Sequence, residues 1–277
     1  MMTADPSPFV TVFQDLQMLD PKWRLELGDP GEADGWIRGV DFADAANGPF
    51  NALLRRIGDR FKTNDRKTIA ASFGLRYGWA ASIAIAPYLT HASVPYVGLD
   101  NISLKFREDT LFERTALHDA RGAMLAMDPA SAHPSVEAID HPGALLRRLR
   151  QELYAQAQPV VSALHAWSGF APRGSWGMIS SSWAAQFIAV CDRLHGQTHA
   201  LPIVEQFFDG DDDVAKMQPR LHPVTFAGVT HLYQRRASCC RYYLLPGKPL
   251  CASCPLVSQD ERIKRNLEWM ERQLTRA

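Results

Sequence analysis

Val97-Gly98-Leu99-Asp100-Asn101-Ile102-Ser103-Leu104-Lys105-Phe106 is where the pattern of the chain changes. From Ile102 onward every second residue is apolar (Ile102, Leu104, Phe106), the period of a half-buried strand. The sequence ahead of it is helical in period. Phe9 to Leu19 puts Phe9, Val12, Phe13, Leu16 and Leu19 on one face. Phe50 to Phe61 follows the start signal Asn47-Gly48-Pro49. Thr68 to Tyr88 is rich in alanine and aromatics and stops near Pro87. Beyond Phe106, Thr110 to Leu117 and Ala123 to Met127 can add strands to the same small sheet.

The remainder returns to helix. Asp128 to Gly143 carries Pro129, Pro134 and Pro142 and reads as a loop. A long helix is expected over about Pro142 to Trp167. Another is expected over Ser175 to Leu194, where Trp176, Ile179, Trp183, Phe187, Val190, Cys191 and Leu194 form one stripe. Pro202 to Phe208 reads either way, and Asp209 to Asp213 is an acidic turn. Ser258 and Glu261 have the spacing of a capping box before a charged helix that runs to about Thr275. The expected class is α+β, predominantly helical with a small antiparallel sheet, with an irregular segment near the C-terminus.

The 277 residues suit one or two domains. Composition is globular, 46% hydrophobic and 22% charged, and the formal net charge is zero. That balance argues against a dedicated nucleic-acid binder, which carries a basic surplus. The start, Met-Met-Thr-Ala-Asp-Pro-Ser-Pro, lacks the basic and apolar regions of a secretory signal. The apolar stretch Ile69 to Leu89 is interrupted by Gly74, Arg76, Gly78 and Pro87, so it reads as a buried helix rather than a membrane span. A cytoplasmic protein is expected.

Four of the five cysteines fall between residues 239 and 254, as Cys239-Cys240, ten residues, then Cys251-Ala-Ser-Cys254. In a reducing compartment such clustering points to metal or catalysis before disulfides. Zinc accepts four thiolates, but its usual pattern is two separated C-x2-C pairs, and only Cys251 and Cys254 make one. Adjacent cysteines point to opposite sides of an extended backbone, so a strained turn would be needed to put both on one ion. A [2Fe–2S] centre has two irons, each taking two outside ligands, and two cysteine pairs can supply them. On spacing alone zinc and iron–sulfur stand level. Arg235, Arg236, Arg241 and Lys248 surround the cysteines with no acid among them.

Other signals are weaker. Cys191 sits on an apolar helical stripe and reads as core. His195 and His199 have a helical metal-pair spacing, but Gly196 and Pro202 favour a loop. Asp209, Asp211 and Asp213 imitate a calcium loop that fails at Val214 and Arg220. Trp79, Trp167, Trp176 and Trp183 suit a ligand cavity or a core equally. There is no G-x-G-x-x-G, P-loop or G-x-S-x-G.

The run C-C-x10-C-x2-C, with Arg235-Arg236 before it, Tyr242-Tyr243 and Pro246-Gly247 within it and Pro255-Leu256 after it, resembles the C-terminal signature of the ferric-siderophore reductase (FhuF-like) family. Asp100 to Phe106 and Trp176-Gly177 resemble family positions more loosely, and Met178 stands where members often carry Asn. The resemblance implies that Cys239, Cys240, Cys251 and Cys254 hold a [2Fe–2S] cluster. It implies reduction of siderophore-bound ferric iron, with hydroxamate-type siderophores favoured, and release of ferrous iron in the cytoplasm. Arg235, Arg236 and Arg241 would then tune the cluster or attract an anionic chelate, or be a solvated basic loop. An external donor such as a flavin reductase or ferredoxin is implied, and association with the cytoplasmic face of the inner membrane is compatible with it. The expected organisation is a substrate-binding region over 1–228 and a cluster-binding segment with its terminal helix over 229–277. The main rival reading is a binding or assembly protein with a structural four-cysteine zinc site; a third is a siderophore-biosynthesis relative whose cluster segment stabilises a different active site, which the lack of a nucleotide-binding loop weakens.

Overall fold

The computed structural model describes residues 6–20, 25–31 and 33–275. In chain order these form α1 (Pro8–Leu19), β1 (Leu25–Leu27), β2 (Trp36–Arg38), α2 (Gly48–Phe61), α3 (Arg66–Ala80), α4 (Ile85–His91), β3 (Ser93–Pro95), β4 (Ile102–Phe106), β5 (Phe112–Leu117), β6 (Gly122–Leu125) and β7 (Val136–Ile139). Then come α5 (Pro142–Ser168), α6 (Pro172–Leu194), α7 (Ala200–Phe207), α8 (Asp213–Lys216), β8 (Arg220–Phe226), β9 (Val229–Arg235) and α9 (Gln259–Leu274). The α+β class with helix in the majority holds. The chain divides into two compact units, 1–56 with 79–163 and 57–78 with 164–277, and the divisions fall inside α2, α3 and α5.

The first unit holds two small sheets. One has the order β1-β5-β4-β2 and the other β3-β6-β7. Both are mixed rather than purely antiparallel, because β1 runs parallel to β5 and β6 parallel to β7. The β4 strand read from the sequence sits centrally, Ile102 opposite Leu117 and Leu104 opposite Thr115. Its Ile102, Ser103 and Leu104 are all buried, so it is covered on both faces rather than on one. The apolar stripe of α1 is core as expected, with Phe9, Val12, Phe13 and Leu16 buried. Phe42 packs edge-on against Phe50 at 5.1 Å and Phe106 at 6.4 Å. Asn101 holds the β4 entry: its side-chain amide donates to the carbonyls of Tyr96 (2.7 Å) and Asp119 (3.0 Å), and its Oδ1 accepts from Asp119 N (2.8 Å).

The second unit is built on α6. Trp176 and Trp183 are buried there with ring centres 6.3 Å apart, and Phe207 of α7 meets Trp183 at 6.0 Å and Phe187 at 5.1 Å. Two of the four tryptophans are thus core; Trp79 is partly exposed, and Trp167 carries the Arg66 guanidinium over its ring at 5.1 Å. Gly78 of α3 lets that helix lie against α6, since a Cβ there would stand 2.8 Å from the carbonyl oxygen of Ile179. Cys191 is buried, which pushes its thiol pKa up to about 11, as a core cysteine requires. Residues 66–91 are long and apolar enough to cross a membrane by composition, but 78% of their most apolar window is buried in the protein, as in a core helix. The sequence left 220–235 unread; it forms the antiparallel β8–β9 hairpin, turning at Ala227 and Gly228 with φ of 49° and 78°. The boundary expected at 228/229 falls in that turn, and residues 229–277 lie within the second unit.

Candidate metal centre

Strand β9 delivers Arg235 to the start of the cysteine segment. Arg236 N–H donates to the Ser253 carbonyl at 2.9 Å, which ties the two cysteine-bearing ends of the segment together. Ser238 Oγ donates to the Gly174 carbonyl at 2.8 Å in the first turn of α6. Gly177 makes that approach possible, because a Cβ on it would lie 2.5 Å from Ser238 Oγ. Gly174 and Gly177 are thus the bed on which Ser238 of the cysteine segment lies. Met178, next to it, is fully buried and faces Gly74 of α3.

The cysteines lie side by side: Cys240 is beside Cys251, and Cys254 is beside both Cys239 and Cys251. The Cys251-Ala-Ser-Cys254 turn is closed by Cys254 N–H on the Cys251 carbonyl at 3.1 Å. All five cysteines are free thiols. The Cys251 thiol is brought down, by Cys240 first and then, against its burial, by the guanidinium of Arg236. Cys240 is correspondingly raised, by Cys251 and by burial. Burial also raises Cys254, which is 2% exposed; the other three sulfurs are in half-buried residues.

Three arginines were singled out, and the structure gives each a different place. Arg236 is 7% exposed, and its Nη2 donates to Cys251 Sγ. Burial works against its charge, and Cys240 and Cys251 more than offset that. Its Nε–H is buried and has no partner among the described residues. Arg235 donates to the Pro255 carbonyl at 3.2 Å. Arg241 turns to Asp65, at 3.0 Å, and its left-handed backbone (φ 60°) points its N–H at Cys239 Sγ, 3.3 Å away. Two further arginines were not read from the sequence. Arg262 of α9, 1% exposed, donates to the carbonyls of Cys254 (3.0 Å) and Val257 (2.6 Å), and Arg265 donates to Leu250 at 2.7 Å. The N-cap Ser258 accepts from Glu261 N at 3.3 Å and fixes the start of that helix, while the Glu261 carboxylate turns to Arg265.

Four thiolates can serve either zinc or a two-iron centre. A mononuclear zinc site needs its ligands converging on one point. Among the described residues no group of three or more His, Cys, Asp or Glu converges on a point where one metal ion of any kind could sit, His195 and His199 included. Four cysteine sulfurs are what a two-iron centre takes. A buried guanidinium beside them suits an anionic, sulfur-rich group.

Residues 236–256 match the FhuF 2Fe-2S C-terminal domain. The segment carrying the four cysteines is thus a [2Fe–2S] domain. No curated protein matches the chain. Among solved structures the chain is similar to aerobactin synthetase IucA from a hypervirulent pathotype of Klebsiella pneumoniae, at 15% identity with a TM-score of 0.52. That likeness covers 70% of this chain and 42% of the synthetase, and at such identity it is a likeness of fold alone.

Proposed function

We propose that the protein reduces siderophore-bound ferric iron, with Cys239, Cys240, Cys251 and Cys254 as the ligands of its [2Fe–2S] cluster. The four neighbouring cysteines beside the buried Arg236 guanidinium support this reading most directly, since together they would supply the outside ligands of two irons. When bound, such a cluster supplies one electron at a time. The chain's own residues fit that task. Arg236 donates to the Cys251 sulfur and stabilises negative charge there. Arg262 and Arg265 hold the backbone around the ligand turn rigid. Burial of Cys254 keeps water from one side, while the half-buried Cys239, Cys240 and Cys251 leave an edge for exchange.

The substrate chemistry follows from charge. Fe(III) is held tightly by the hard oxygens of hydroxamate, catecholate or carboxylate chelators, and Fe(II) far less so. One added electron therefore frees the metal and leaves the chelator intact. The chain carries no nucleotide-binding glycine loop, so the electron comes from a partner such as a flavin reductase or ferredoxin. Reduction of an imported chelate belongs in the cytoplasm, which is also where four free thiols persist.

Anaerobically purified protein is expected to contain iron and acid-labile sulfide, and to show a visible absorption that bleaches with dithionite. Cys251→Ser should lose iron, sulfide and ferric-chelate reduction together, whereas Cys191→Ser should keep all three. Wild-type protein free of iron and sulfide would sink the reading; a cluster retained in Cys251→Ser would sink the ligand assignment.

A further inference from the structure

A small cavity of about 190 Å³ opens beside the cysteine segment. It is lined by Gln218, Arg220, Arg235, Arg236, Ala237 and Pro255, with no carboxylate among them. The hairpin register sets Arg220 directly opposite Arg235. Like charges facing each other across two strands destabilise a hairpin unless something negative lies between them. No acid fills that role among the described residues: Arg235 meets only the Pro255 carbonyl, and Arg236 only the sulfurs of the cysteines and its own backbone contacts. Arg236 adds a third guanidinium, nine-tenths buried, with its Nε–H unspent.

We infer that this cavity is an oxyanion site that takes a carboxylate arm of the ferric chelate. The inference rests on the reductase reading and names a substrate class within it. Guanidinium forks match a carboxylate bidentately, and three of them with no competing acid make a site for one such group. The volume is below that of pockets that enclose whole drug-sized ligands, so it admits one arm and not a complete chelate. Arg236 reaches both places, the cavity on one side and Cys251 on the other. An anion in the cavity therefore draws on the same guanidinium that stabilises charge on the sulfur. Binding and reduction are coupled, and the coupling is reciprocal. Negative charge added beside Arg236 favours the oxidised centre, so the reduced protein holds the anion more weakly.

The cluster-loaded protein tests this with citrate as a free carboxylate, gallium citrate as a redox-inert carboxylate chelate and a gallium trihydroxamate as a carboxylate-free one. Calorimetry should show citrate binding, weakened about tenfold by Arg220→Gln, an exposed position, and likewise by Arg235→Gln. A tenfold tighter hold on the oxidised form appears as a fall of ~59 mV in midpoint potential when citrate saturates. Gallium citrate should displace citrate, and the trihydroxamate should not. Citrate that binds but is not displaced by gallium citrate would overturn the substrate assignment and leave a site for a free oxyanion. No citrate binding, or binding unchanged in both arginine variants, would overturn the site itself. If those failures came with iron, sulfide and ferric trihydroxamate reduction intact, the reductase reading would stand without this subsite; if the cluster were missing, that reading would fall first.

Discussion

The arginines around the small sheets and those around the cysteines are the same residue put to opposite uses. In the first unit Arg38 faces Asp29 (3.7 Å), Arg114 meets Glu26 (2.5 Å), and Arg148 sits between Glu137 (3.1 Å) and Glu152 (3.4 Å). These pairs are partly solvated, and water screens most of what they gain. In the cysteine segment Arg236 is buried against Cys251, and Arg262 is buried against the carbonyls of Cys254 and Val257. Neither has a carboxylate partner among the described residues. A buried guanidinium has lost its hydration and needs negative charge nearby to remain. Here the sulfurs supply it to Arg236. Arg241, bound to Asp65, belongs to the first kind although it lies in the second region.

The sharpest way to break that contrast is Arg236→Met, which keeps volume and removes the charge. Taking away one partner of a buried charge pair costs about 3 kcal/mol, because the other is left uncompensated. Denaturant unfolding of the cluster-loaded protein should show that loss, and the midpoint potential should fall as the reduced centre loses a donor. An unchanged potential with an unchanged unfolding midpoint would mean that Arg236 is no different from the surface arginines.

Gly177→Ala should act next in size and by another route. Its new Cβ would stand 2.5 Å from Ser238 Oγ and 2.7 Å from Ser238 Cβ, so the cysteine segment must lift off α6. Overpacking of this kind costs roughly 1–3 kcal/mol. The distinguishing readout is the number of irons per chain after purification, expected to drop although no ligand has been touched. Full occupancy with normal stability would show that the segment does not depend on that bed.

How much of this the sequence discloses depends on how local each interaction is. The helices are legible because their apolar stripes are local, as in Phe9, Val12, Phe13 and Leu16. Strands β1, β2 and β3 span three residues each, too short to display a period of two, and β7 lies in a stretch whose prolines read as loop. Pro223 hides β8, and the turn of its hairpin is Ala227-Gly228 rather than Asn-Gly. Parallel pairing of β1 with β5 joins residues about ninety apart, which no local pattern records. At the site, the four cysteines are conspicuous in the sequence, and that adjacent cysteines diverge follows from the backbone. How the two ends of the segment are brought together does not, since it is set by the turn at Cys251 and by the clasp between Arg236 and Ser253. Nor could Arg235, Arg236 and Arg241 be told apart, because burial separates the first two and Asp65, 176 residues away, claims the third. Arg262 looked like one more charge on an amphipathic helix.

The smallest expected effect tests the other half of the contrast. Arg114 and Glu26 are close enough for a strong hydrogen bond, yet both side chains are about two-fifths exposed, at 43% and 40%. The glutamate holds the guanidinium pKa above its usual value, but that group is already charged at any pH the protein meets, so the shift carries no stability in that range. Arg114→Gln should leave the unfolding midpoint within measurement error at ordinary ionic strength, and added salt should not separate variant from wild type. A clear loss of stability would mean that the pair behaves as if buried, and that counter-charge by carboxylate and by sulfur are not the two separate regimes their surroundings suggest.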